Sequence, residues 1–164
     1  MIRGGEPPLS ASLYIVATPI GHLDDMSLRA IDVLRSVNLI AAEDTRHSSK
    51  LLRHFDIRTP LISYHDHSET SDLEGMLKRL RAGETIALIS DAGTPLVSDP
   101  GYKLVVACHR EQIPVVPIPG PSATITALSA AGLPTDHFYF EGFLPPKPGQ
   151  RVNRLQVLAA MEGT

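Results

Sequence analysis

Short apolar runs alternate with segments of helical period along this 164-residue chain, and that alternation leaves few folds open to it. Residues 13–18, LYIVAT, form such a run, closed by Pro19 and Gly21, with no alternating polar position to mark a solvent face. A run of that kind is a strand buried on both sides, as in a parallel sheet held between helical layers. Ser27 then caps a helix in which Leu28, Ile31, Leu34 and Val37 share one face. Further strands are expected at 39–42, 60–63, 85–89 and 114–118, and further helices at 48–55, 68–82, 102–111 and 122–131. In the 68–82 helix Leu73, Met76, Leu77 and Leu80 point inward and Gly83 is the stop, while Gly132 ends the 122–131 helix and a polar helix begins near Arg151. The pattern predicts an α/β domain, a mostly parallel sheet with helices on both faces joined by right-handed crossovers.

The length suits one domain with one core, preceded by a tail at 1–11 that is left out of the fold. With 43% hydrophobic and 20% charged residues the chain lies outside the disordered class. No apolar run approaches the roughly 20 residues that span a bilayer, and the first ten residues lack a secretory apolar stretch, so no membrane partner and a cytoplasmic location are expected. Cys108 is the single cysteine, which excludes an internal disulfide and a multi-cysteine zinc site and reads as a core thiol. Eighteen acidic against 15 basic side chains, net −3, give no global pull on a polyanion; any nucleic-acid contact must be local.

Parallel strands point their carboxyl ends to one rim, where open α/β sheets bind ligands. The segments that meet there are 19–25, 43–47, 90–101 and 119–122, rich in Gly, Pro, Ser, Thr and Asp and nearly free of Lys and Arg. A polyphosphate site pairs glycine amides with a lysine, yet the chain has neither G-x-x-x-x-G-K-[ST] nor G-x-G-x-x-G. A cofactor with hydroxyls, an amine and a positive centre but no phosphate fits such a rim, and S-adenosylmethionine is one. Seven histidines, including His65 and His67 around Asp66, come without a helical H-E-x-x-H, so no metal is expected.

Four rim strings, LYIVATPIGHLDD from Leu13, AAEDTR from Ala41, SDAGTPLVSDPG from Ser90 and PGPSA from Pro119, together with GLPT from Gly132 and FEGFLP from Phe140, carry a resemblance. They closely resemble the tetrapyrrole methylase superfamily, in particular its members that methylate ribosomal RNA, over about residues 13–154. The resemblance implies the N-terminal domain of the tetrapyrrole methylase fold. It also implies transfer of a methyl group from S-adenosylmethionine to the ribose 2′-oxygen of a cytidine in 16S ribosomal RNA, within the small ribosomal subunit, by a homodimer. Carried over by position, the cofactor-binding proline of the superfamily falls on Ile20, beside Pro19, and its Gly-Gly-Asp-Pro loop on Ala92, Gly93, Thr94 and Pro95. Thr94 in place of an acid leaves ribose binding to a hydroxyl helped by Asp91, Val97 matches an apolar position against the cofactor, and Ser122 with Ala123 matches a hydroxyl-and-alanine pair at a helix start. Superfamily members continue into a second lobe with the cofactor between the two, so the resemblance implies an α/β cofactor- and substrate-binding domain at 12–143 and a linker with the start of a truncated second domain at 144–164, and this chain alone is expected to be weak or inactive.

Methylating an alcohol requires the oxygen in line with the methyl group and a group that accepts its proton. Asp44, just past a strand end and beside Arg46, ranks first for that role, ahead of Glu43, Asp25, Asp99 and His65. For RNA phosphates the main candidates are Arg46, Lys50, Lys147 and Arg151, with His47, Arg53, Arg58 and Arg154 near them, and Tyr64 and Tyr102 are candidates for stacking on a base. Two other readings stay open, methylation of a tetrapyrrole or another small molecule, and a non-catalytic fragment.

Overall fold

Five strands, β1 (Leu13–Val16), β2 (Leu39–Ala42), β3 (Leu61–Ser63), β4 (Ile86–Ile89) and β5 (Val115–Ile118), form one sheet in the order β3-β2-β4-β1-β5, with every neighbouring pair parallel. The computed structural model describes residues 11–64 and 70–164. Four helices connect these strands: α1 (Leu28–Ser36), α2 (Thr45–His54), α3 (Thr70–Arg81) and α4 (Tyr102–Arg110).

Handedness decides where the helices lie. From β1 the chain steps through β2 to β3 in one direction along the sheet, then returns through β4 to β5 in the other. Right-handed crossovers must therefore put α1 and α2 on one face and α3 and α4 on the opposite face. The core follows that division with the two-residue period of a strand. Tyr14, Val16, Ile40, Ala42, Ala87 and Ile89 pack with Ala30, Ile31, Val33 and Leu34 of α1 and Leu52 of α2. Leu13, Ile15, Leu39, Ala41, Ile86 and Leu88 pack with Met76, Leu77 and Leu80 of α3 and Leu104 and Cys108 of α4. Each fully buried Leu, Ile or Val contributes about 1.5–3 kcal/mol by leaving water, which holds the central strands rigid beneath their loops.

Several expected details are corrected. Leu28 is 81% exposed rather than inward, because helix side chains lean toward the N-terminus and that of the first residue projects past the end of its helix. The helix expected at 48–55 begins at Thr45, since Asp44 caps it. Tyr64 is buried in the α3 layer and is thus no stacking platform, whereas Tyr102 is exposed. Cys108 is a buried core thiol as expected, pushed up to about 11 by burial and then by the charge of Glu111. His65, Asp66, His67 and the expected start of α3 at Ser68 lie outside the described residues.

The chain divides into two compact units, the first ending at Ser122 and the second spanning Ala123–Thr164. The second holds α5 (Ala123–Ala130) and α6 (Pro148–Ala159). α6 starts ahead of Arg151 because Pro148 sits in its first turn, where a fixed φ is favourable and no N–H is missed. Within this unit Arg154 grips the Glu141 carboxylate through Nε at 2.6 Å and Nη2 at 2.7 Å. The Tyr139 N–H donates to the Thr164 carbonyl and the Thr164 N–H to the His137 carbonyl. Among the described residues no helix is long and apolar enough to cross a membrane.

Candidate functional site

Ile89 of β4 lies level with Val16 of β1 and with Ala42 of β2, so three adjacent strands release their loops at one height on the rim. The chain leaves β1 and β2 toward helices on one face but leaves β4 toward the other, and a divergence of that kind opens a crevice. A cavity of about 500 Å³ lies there. The loop after β1 contributes Pro19, Ile20, Gly21 and Leu23, α2 contributes His47, Lys50 and Leu51, and the loop after β4 contributes Asp91 and Ala92.

The two loops after β1 and β4 are pinned together by backbone pairing and buried hydroxyls. The Thr18 N–H donates to the Gly93 carbonyl at 2.9 Å and the Gly93 N–H returns to the Thr18 carbonyl at 3.0 Å. The buried Thr18 hydroxyl donates to the Ser90 carbonyl at 3.1 Å and the buried Ser90 hydroxyl to the Gly93 carbonyl at 3.4 Å. Satisfied buried polar groups of this sort hold one geometry, since breaking any of them strands its partner out of water. Gly93, at φ +84°, thus spends its own N–H and C=O on the wall, and a Cβ there would meet Ile20 Cγ2 at 3.6 Å.

The rest of the β4 loop is tightly constrained. Leu96 (φ 74°) and Ser98 (φ 66°) are left-handed without being glycine, at a cost of order 1–3 kcal/mol each, and Pro95 is buried as an anchor. Gly101, at φ +126°, leaves no room for a side chain, because a Cβ would lie 2.5 Å from Leu88 Cδ2. Thr94 donates its hydroxyl to the Pro121 carbonyl at 3.3 Å, tying this loop to the one after β5.

Asp44 has a double duty at the start of α2. Its Oδ1 accepts the Arg46 backbone N–H at 2.8 Å, and its two oxygens take Arg46 Nε at 3.3 Å and Nη2 at 3.0 Å. These bonds from the Arg46 side chain and backbone outweigh desolvation and lower the Asp44 carboxyl to about 2. The Asp44 N–H in turn donates to Asp91 Oδ1 at 3.3 Å, linking the loops after β2 and β4. Asp99 behaves in the opposite sense: burial raises its carboxyl, a hydrogen bond from Ser90 opposes that, and the charge of Asp91 adds to the rise.

Of the cofactor residues expected from the sequence, Pro19, Ile20, Asp91 and Ala92 line the cavity, and so does Lys50 from the RNA set. Gly93 and Thr94 brace it through backbone and hydroxyl bonds, Val97 is half exposed, and Ser122 is partly buried at the end of the first unit. Asp44 is not among the lining residues, and the Arg46 side chain extends into solvent at 90% exposure on its carboxylate. Ala123, Lys147 and Arg151 are exposed residues of the second unit. Gly21 and Leu23, from the rim segment 19–25, complete the apolar wall together with Leu51, which does not stand out in the sequence because it reads as a core residue of α2.

The sequence pattern of the tetrapyrrole (corrin/porphyrin) methylases matches residues 12–164. The chain is similar to "Ribosomal RNA small subunit methyltransferase I" of Synechocystis sp., 57% identical over 93% of this chain and 54% of the relative. To the protein of the same name from Vibrio cholerae it is 55% identical over 93% of this chain and 53% of the relative. The chain therefore spans about half the length of the curated relatives it matches. Among solved structures, a uroporphyrin-III-C-methyltransferase from Thermus thermophilus superposes with a TM-score of 0.56 at 24% identity, covering 77% of this chain and 54% of that one. Diphthine synthase superposes with a TM-score of 0.57 at 17% identity, covering 89% and 60%. These structures share the fold.

Proposed function

This chain belongs to the tetrapyrrole methylase family, and from that premise we propose that its rim cavity serves S-adenosylmethionine-dependent methylation of 16S ribosomal RNA in the small ribosomal subunit, at the ribose 2′-oxygen of a cytidine. The observation that carries this reading is the composition of the rim cavity. Residues suited to a phosphate-free cofactor, Pro19, Ile20, Asp91 and Ala92, face Lys50 and His47, which are suited to an RNA strand. The names of the relatives at 55–57% identity support an RNA substrate over a tetrapyrrole.

S-adenosylmethionine suits these walls. Small and apolar residues allow close approach, the Asp91 carboxylate offers an acceptor for sugar hydroxyls, and that negative charge is compatible with a sulfonium. When bound, the cofactor supplies an electrophilic methyl group on a cationic sulfur. Around it, Thr18, Ser90 and Gly93 hold the β1 and β4 loops at fixed spacing, Gly93, Thr94, Val97 and Ser122 extend the cofactor surface, and Asp44 orients the ribose hydroxyl or accepts its proton. Arg46, Lys50, Lys147 and Arg151 meet RNA phosphates. The same proposal takes residues 12–143 as the first lobe and 144–164 as the passage to a second, in a cytoplasmic homodimer. Exposed Phe143, Val152, Leu155 and Val157 in the second unit support self-association. Sedimentation at rising concentration should show a dimer; a monomer throughout would remove the dimer from the proposal.

The activity is tested by incubating small ribosomal subunits that lack the modification with methyl-labelled S-adenosylmethionine and the protein, then mapping the label. Label on a cytidine ribose of 16S RNA is expected, at low yield from this chain alone and at full yield once the second lobe is present. Label on a base, or transfer to a tetrapyrrole in place of RNA, would overturn the substrate.

A further inference from the structure

α2 carries Arg46, His47, Lys50, Arg53 and His54 and no acidic residue, although the chain as a whole is net −3. Ser48, Leu51 and Leu52 are its buried face, which turns the cationic side chains outward. Hollows lie on both sides of this helix. One is the rim cavity, reached by His47 and Lys50. The other, about 390 Å³, lies between α2 and the segment leading to β3, with Ser49, Arg53, Arg58 and Thr59 on its walls. Of its apolar members Leu52 and Ile57 are buried and Leu61 is partly exposed, and its charged members are Arg53, Arg58 and the Asp56 carboxylate that pairs with Arg58.

The cations differ in how free they are. Arg46 is held by Asp44 and Arg58 shares the exposed Asp56 carboxylate at 3.0 Å, whereas Lys50 and Arg53 make no ion pair among the described residues. Lys50 and Arg53 are three residues apart and thus neighbours on the helix surface, about 5–6 Å between Cβ atoms. A guanidinium fork matches phosphate oxygens in pairs, and a local cationic stripe on an acidic protein confines a polyanion to one path.

We propose that α2 guides a single RNA strand, with Lys50 on the phosphate beside the nucleotide that enters the rim cavity, and Arg53 with Arg58 on a phosphate further along the strand in the second hollow. The inference rests on the RNA-methylation reading and adds the strand's path and a second subsite. An acidic protein segment is the competing occupant; it would be anchored mainly by apolar side chains, and Leu61 is the single partly exposed apolar residue among this hollow's lining.

The test is fluorescence anisotropy of a labelled single-stranded RNA dodecamer over a salt series, with the protein, Lys50→Gln, the double variant Arg53→Gln/Arg58→Gln, and Arg53→Lys. Each lost phosphate contact should flatten the slope of log K against log salt by about 0.7, so Lys50→Gln loses one such step, the double variant loses one, and Arg53→Lys keeps its slope. All positions are exposed, and circular dichroism confirms the fold of each variant. An unchanged slope in the double variant overturns the guide, as does displacement of the RNA by polyglutamate as readily as by polyuridylate at equal charge. Methylation of small subunits, assayed in parallel, separates this idea from its premise. Transfer that proceeds with an unchanged KM in the double variant leaves the function standing without the guide, while a lost slope without methyl transfer leaves the guide standing without the function.

Discussion

In the enzyme with both lobes, Asp44→Asn should lower methyl-transfer turnover by ~10²–10⁴-fold, the usual contribution of a positioned general base, while leaving cofactor and ribosomal-subunit affinity nearly intact. Asparagine caps a helix about as well as aspartate, so α2 keeps its start and the fold survives. What disappears is the charge that Arg46 answers. A fall of less than about tenfold would reassign Asp44 to capping and to holding Arg46. The pH profile supplies a second discriminator. With its folded value lowered from 3.8 to about 2, any stability Asp44 adds is fully present above 3.8 and is lost as pH falls through about 2, and its carboxylate stays ionised at working pH. A rate governed by Asp44 is therefore flat across the neutral range. Asp99, raised by burial, would instead give an acid limb above the ordinary carboxylate range, and loss of that limb in Asp99→Asn would move the proton acceptor there.

Where burial alone decides structure, the residues announced it. β1, β2 and β4 read as continuous apolar runs because both of their faces are covered, and their two-residue alternation then sorted every side chain into one of the two helical layers. Errors cluster where a cap or a chain end decides instead. Asp44 looks in sequence like a loop carboxylate, but its side chain caps α2 and so starts that helix a turn early; Leu28 keeps its helical period but lacks cover.

The candidate site was legible as a set of loops and illegible as a shape. Gly93 looks in sequence like a place for a ligand to approach the backbone, but the Thr18 pairing that consumes its amide joins residues 75 positions apart and leaves no local mark. Leu51 belongs to the core pattern of α2 while also walling the cavity, and periodicity cannot separate those roles. Lys50 comes from the helix after β2 and Asp91 from the loop after β4, and only the order β2-β4-β1 sets them around one space.

That space is where the cofactor is placed, and filling it is the most direct challenge. Ala92 lines the cavity yet is solvent-exposed, so a large side chain there intrudes on the cavity without disturbing the packed layers beneath. Calorimetric titration of S-adenosylmethionine into the protein and into folded Ala92→Trp decides the matter. One site is expected in the protein, with affinity lower by at least ~100-fold, about 3 kcal/mol, in the variant. Equal affinity in both would place the cofactor elsewhere and contradict the assignment of this cavity.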